Sequence, residues 1–171
     1  MVDLPGAGIR LRSLVLDDLD SLIAGGEGQP SFLRESRAQT RARLRERIER
    51  NPTLEDGGLL NLGIEVAGDL VGEIQARAPK CCFPPGVCEI GITLFSAARG
   101  HGWGGEAVQL FTNYLRREGW GRVQASTACE NVAMRRVLDR AGYQYEGVLR
   151  AFSPGDDGGR VDYVMYAATQ A

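Results

Sequence analysis

The stretch Arg99-Gly100-His101-Gly102-Trp103-Gly104-Gly105 decides the reading of this chain. It follows the strand-like run Glu89 to Phe95 and opens a helical pattern that ends near Glu118-Gly119. Glycines let the backbone approach a ligand closely, because no Cβ stands in the way. The first amides of a helix have no partner within the helix. They point the same way as the positive end of its dipole. Together they make an anion site suited to a pyrophosphate. Arg99 adds a charged contact.

Three kinds of phosphate loop end in a helix. A nucleotide-triphosphate loop needs Gly-Lys-Ser/Thr at its end, and Glu106-Ala107 stand there instead. A dinucleotide fingerprint is formally met by Gly100, Gly102 and Gly105. That fold needs the unit early, with an acidic residue closing the next strand. Here the next strand ends in Ser126-Thr127 and too little chain remains. The third kind is a coenzyme A pyrophosphate loop.

Outward from the loop, the pattern gives a strand at Ile9 to Leu14 and a short helix from Asp17-Asp18 to Ile23, stopped by Gly25-Gly26. A basic helix spans Gln39 to Arg50 and ends at Asn51-Pro52. Leu60 to Val66 and Leu70 to Ala76 read as a hairpin, and Pro79 to Gly86 as a loop. After the glycine loop come a strand at Arg122 to Thr127 and a helix at Asn131 to Ala141, capped by Gly142. Closing strands follow at Tyr143 to Leu149 and Val161 to Ala167. The order β-α-α-β-β-β-α-β-α-β-β predicts a mixed α/β sheet. The length of 171 residues fits one domain over the whole chain.

Hydrophobic residues make up 43% and charged residues 25%, the balance of a globular protein. A net charge of −2 gives no electrostatic reason to expect nucleic acid. No apolar run approaches the ~20 residues that cross a bilayer, so no membrane partner is expected. The start lacks the basic-then-apolar order of a secretory signal, which leaves a cytoplasmic protein as the expectation. Cys81, Cys82, Cys88 and Cys129 do not repeat a metal-binding spacing and read as reduced thiols, with no metal expected.

The ordered residues resemble those of GNAT acetyltransferases, and more narrowly the RimJ/RimL-type group. Arg99, Gly102 and Gly104 match the family loop, and Glu106-Ala107 follow as in that group. Asn131, Arg136-Val137-Leu138, Ala141-Gly142-Tyr143, Glu146-Gly147 and Arg150 resemble its later segment. Ile9-Arg10-Leu11-Arg12 with Asp17-Asp18 resembles its start. The resemblance implies a twisted sheet flanked by helices, with acetyl-CoA wedged between two splayed parallel strands ending at Phe95 and near Thr127. It implies that the loop from Gly100 through His101, Gly102, Trp103 and Gly104 to Gly105 holds the pyrophosphate. Ile92, Thr93 and Leu94 would face the pantetheine and thioester, and Asn131 the coenzyme arm.

Acetyl transfer to a primary amine needs the amine neutral, and model amines titrate at about 7.7–8.0 (α-amino) or about 10.4 (Lys). Glu89 is the first candidate base, sharing a strand face with Gly91 and Thr93, and Glu73 is the second. The acid positions of the family hold Leu138 and Met134, which cannot donate a proton. Water, Tyr143 or Tyr145 remain for that role, although Tyr143 also reads as a core aromatic. His101 reads as facing solvent or phosphate, Trp103 as a helix-start anchor, and Cys129 as a bystander thiol. On the basic helix, Arg37 and Arg41 read either as a solvated face or as a wall selecting an acidic acceptor. Asp156 and Asp157 would suit a cationic acceptor, or serve only the turn. The acceptor is a protein N-terminus or a small amine. A non-catalytic acyl-CoA-binding module is the rival reading. The Val- and Tyr-rich last strand, if at an edge, would pair in a homodimer.

Overall fold

The computed structural model describes residues 1–26, 35–55, 58–80, 83–155 and 158–169. In chain order these form β1 (Asp3–Pro5), β2 (Arg10–Ser13), α1 (Leu19–Gly26), α2 (Arg37–Arg50), β3 (Leu59–Val66), β4 (Asp69–Arg77) and β5 (Val87–Leu94). Then come α3 (Trp103–Arg117), β6 (Arg122–Ala128), α4 (Val132–Arg140), β7 (Gln144–Pro154) and β8 (Arg160–Thr169). Single 3-10 turns at Leu16–Asp18 and Ser96–Ala98 lead into α1 and out of β5.

Each helix has a local cause. In α2, Ser36 accepts the Gln39 amide at 3.3 Å while Gln39 accepts the Ser36 amide at 2.9 Å. Asn51 ends it in the left-handed region at φ 38, and Pro52 follows. In α3, Ala107, Val108, Phe111, Thr112 and Leu115 recur at helical spacing and are all buried. In α4, Asn131 caps the start by accepting the Met134 amide at 3.1 Å.

The sheet runs β1-β2-β3-β4-β5-β6-β8-β7. Every pair is antiparallel except β5 with β6. One face carries the main core, where Phe111, Leu115 and Val108 of α3 and Leu138 of α4 meet Ile74, Ala76, Cys88 and Val123. A smaller core under α1 and α2 joins Leu14, Leu19, Leu22, Ile23, Leu44 and Ile48. Gly63 separates the two. Leu62 and Ile64 beside it belong to the main core, while a Cβ on Gly63 would come within 2.6 Å of Leu70 and 2.9 Å of Leu14 on the other face.

Four differences from the sequence expectation have physical reasons. Strand β1 is three residues long with Pro5 at its end, too short for a periodic signal. Helix α1 runs past Ile23 and takes in Gly25 and Gly26, with Gly26 its last residue. Gly25 lies flat on the Phe95 ring, where a Cβ would come 2.2 Å from a ring carbon. Phe95 itself lies just past β5. Strand β8, expected at an edge, is interior between β6 and β7, so the edge belongs to β7. Residues Cys81, Cys82, Asp156 and Asp157 lie outside the described residues.

A charged clasp holds the N-terminal end of the sheet to the α1 entry. Arg12 forks onto Asp18 at 2.7 and 2.8 Å and also donates to Glu65. Burial works against the charge on Asp18. The Arg12 fork and the Val15 amide outweigh it, so the carboxyl titrates below its ordinary 3.8. A lowered folded value stabilises the fold above the unfolded value and loses that support as pH falls through the folded one. Arg12→Ala should therefore destabilise the chain by about 3 kcal/mol near neutral pH, because it strands a buried carboxylate. Thermal unfolding at stepped pH checks this: the gap between variant and wild type should narrow as acid protonates Asp18.

Candidate active site

Strands β5 and β6 pair over only three positions, Val87 with Arg122, Cys88 with Val123 and Glu89 with Gln124. Beyond that point each keeps only its outer neighbour. β5 stays paired with β4 as far as Leu94, and β6 with β8 as far as Ala128. The sheet therefore forks at Glu89 and Gln124. Backbone groups of β5 that face the gap beyond the fork are left for a ligand.

A cavity of about 610 Å³ fills the fork on the α3–α4 side. Ile92, Leu94, Ala133, Met134 and Val137 line its long walls, and Arg99, Gly100, Gly102, Gly104 and Gly105 line its mouth. Gly100 and Gly102 sit at φ 85 and 84, which only glycine adopts without strain. A Cβ on Gly104 would come 3.2 Å from Leu94 Cδ1, a contact that needs the Leu94 side chain to give way. A Cβ at Gly105 would meet nothing within 4 Å. The amides of Gly105 and Glu106 turn back to the Gly102 carbonyl at 3.0 and 3.2 Å. The earlier amides, those of Trp103 and Gly104, open the helix and have no partner within it. The cavity thus has glycines and Arg99 at one end and mostly apolar side chains along the rest, a lining that suits a diphosphate followed by a pantetheine arm.

The residues expected at this site divide into four groups, the last of them Glu89 and Glu73 on the opposite face of the fork. Ile92, Thr93, Leu94, Arg99, Gly100, Gly102, Gly104, Gly105 and Asn131 come together around the cavity. Arg99 Nε reaches the Leu94 carbonyl at 3.3 Å, and Asn131 Nδ2 reaches Thr127 Oγ1 at 3.0 Å. His101 and Trp103 stack on each other at 4.5 Å and are not among the residues lining the cavity. Arg37 and Arg41 also lie outside that lining, and Arg41 pairs with Asp20 of α1 at 2.5 Å.

The opposite face of the fork is polar. Glu89 is buried, with Oε1 accepting from Arg77 at 2.6 Å and Ser126 at 3.2 Å, and Oε2 accepting from Gln124 at 3.0 Å. Glu73 Oε2 accepts from Arg47 at 2.7 Å and from Asn61 at 3.0 Å. Sequence reasoning missed Arg47, Arg77, Gln124 and Ser126. Arg47 was findable, being three residues past the buried Leu44 on the inner helical face. The others depend on which strands adjoin.

On the acid side, Met134 lines the cavity, while Leu138 is fully buried in the core. Tyr143 is removed as a proton donor to the site. Its hydroxyl is buried against Thr112 Oγ1 at 2.7 Å, and burial pushes its titration far above the ordinary value. Tyr145 is half-exposed on β7, edge-on to Tyr166 at 5.6 Å. Burial pushes the Cys88 thiol up to about 12, leaving it unreactive. Among the described residues no cluster offers three metal-ligating side chains, and no helix is long and apolar enough to cross a membrane.

Several solved structures share this architecture. RimL, a ribosomal-protein α-N-acetyltransferase in complex with coenzyme A, is 20% identical with a TM-score of 0.81, covering 98% of each chain. An acetyltransferase from Salmonella typhimurium that modifies the N-terminal serine of a 50S ribosomal subunit protein is 19% identical with a TM-score of 0.79, covering 99% of this chain and 100% of that one. The self-immunity acetyltransferase MccE, in complex with acetyl-CoA and AMP, is 17% identical with a TM-score of 0.77, covering 96% and 94%. At these identities the likeness speaks to the fold. No curated protein sequence matches significantly. The profile of the acetyltransferase (GNAT) domain matches residues 9–144, and with the forked sheet and its glycine-lined mouth this makes the chain a member of the GNAT acetyltransferase family, whose acyl donor is acetyl-CoA.

Proposed function

We propose that this acetyltransferase transfers its acetyl group to a primary amine, a protein N-terminus or a small-molecule amine, by direct attack at the fork. The whole chain acts as one domain in the cytoplasm, where thiols stay reduced. The observation that carries the reading is the fork itself: a mostly apolar cavity with a glycine-lined mouth on one face and the Glu89 carboxylate on the other.

Acetyl-CoA, when bound, supplies a thioester as acyl donor. The first amides of α3, those of Trp103 and Gly104, with Arg99, hold the diphosphate end. Ile92, Leu94, Met134 and Val137 exclude water from the arm. An unpaired β5 amide facing the gap stabilises the negative charge that develops on the carbonyl oxygen, an effect worth about 3 kcal/mol per donor. Glu89 takes up the amine proton, and Glu73 adds a second carboxylate on the same face. The α4 side chains in the cavity are Ala133, Met134 and Val137, none of which donates a proton, so the coenzyme leaves without help from that helix.

The test is release of free thiol from acetyl-CoA with peptides bearing free N-termini and with spermidine, with the acetylated product identified by mass. Acetylation of at least one amine is expected. Thermal protection by acetyl-CoA with no acetylation of any amine would instead favour the non-catalytic binding module.

A further inference from the structure

We infer that Ser126 is a catalytic residue, the group that touches the incoming amine and passes its proton to Glu89. This rests on the amine-acetylating reading above. Ser126 lies two residues past Gln124, the last β6 residue paired with β5, so it stands on the free lip of the fork. Alternation along β6 puts it on the same face as Gln124, whose amide already reaches Glu89. Its hydroxyl crosses the gap to Glu89 Oε1 at 3.2 Å.

The carboxylate is poorly placed to meet an amine directly. Two ionised oxygens offer about four acceptor positions, and Arg77, Gln124 and Ser126 occupy three of them. The Ser126 oxygen differs. Its single proton is directed at Glu89, which leaves its lone pairs open to an N–H donor. It is only partly buried. Across the gap, Gly91 offers no side chain, and only Gln75 comes within 4 Å of where its Cβ would be. An amine entering from the polar face therefore meets the Ser126 oxygen beside an unfilled position.

The step balances. An acceptor arriving as ammonium passes one N–H proton to Ser126 Oγ, which frees the lone pair that attacks the acetyl carbon. The Ser126 hydroxyl proton passes to Glu89 Oε1. The serine is regenerated, the neutral nitrogen bonds the acetyl carbon, and the carbon–sulfur bond breaks with its electron pair leaving on the coenzyme thiolate. The proton then in excess on nitrogen passes to water, and the carboxylic acid returns its own proton to water. No oxidant or further reactant is needed.

The experiment measures kcat, and KM for each substrate, in the wild type, Ser126→Ala and Ser126→Thr across a pH range that brackets the amine pKa. The acceptor is whichever of the peptides or spermidine the wild type turns over fastest. Ser126→Ala should lower kcat about 30-fold well below the amine pKa, with KM for acetyl-CoA unchanged. Above that pKa the amine arrives neutral, and the deficit should shrink to within about 3-fold. Ser126→Thr keeps the hydroxyl and should keep most of the rate. Equal rates for Ser126→Ala and wild type overturn the relay, as does a loss that is the same at every pH or is shared by Ser126→Thr. A wild type that acetylates no amine overturns the functional reading itself, and is told apart because it concerns the unmodified chain.

Discussion

Gly105→Asp should weaken acetyl-CoA binding at least about 100-fold while leaving the fold as stable as before or slightly more so. Gly105 lines the mouth of the cavity, and a Cβ there meets no atom within 4 Å, so the side chain enters without displacing anything. A carboxylate about 5 Å from a diphosphate costs about 3 kcal/mol per unit charge at an effective dielectric near 20. The same carboxylate sits in the first turn of α3, where a negative charge favours the helix and glycine does not. Binding and stability should thus move apart. Calorimetric titration with acetyl-CoA and thermal unfolding of the ligand-free chain check the two halves. Unchanged affinity would mean that the diphosphate lies elsewhere.

Glu89→Gln should lower kcat about 100-fold or more while changing KM for acetyl-CoA little. The neutral amide keeps the size of the side chain but cannot take up a proton at the fork. Its NH₂ group would also face one of the donors that Glu89 now satisfies, Arg77, Ser126 or Gln124, so a loss of about 1–3 kcal/mol in stability accompanies the change. Steady-state kinetics below the unfolding temperature separate the two effects. A rise in KM for acetyl-CoA with kcat intact would make Glu89 a clasp between β4, β5 and β6 with no part in the proton's path.

What could be read from the sequence follows from how local each signal is. The glycine loop was legible because positive φ at Gly100 and Gly102, and the close approach of Gly104 to Leu94, are demands on single residues. The long helices were legible for a similar reason, since Phe111 and Leu115 or Leu44 and Ile48 repeat at one helical face. The partners of Glu89 were not legible. Arg77 is 12 residues away, Gln124 is 35 and Ser126 is 37, joined only when β4 and β6 flank β5. The interior place of β8 has the same cause, because a strand's own residues do not say which neighbours it will find. Among the arginines of α2, helical spacing from Leu44 and Ile48 favoured Arg37 and Arg41. The deciding fact is that Arg47 meets Glu73 across the sheet face.

The account's central claim is that the bare amides at the start of α3 grip a diphosphate in the fork between β5 and β6. A crystal structure of the chain grown with coenzyme A tests it most directly. Phosphate oxygens within about 3 Å of the Trp103 or Gly104 amides, with the pantetheine running past Ile92 and Leu94, are the predicted result. Coenzyme A bound away from the fork, with those amides left to solvent, would contradict it.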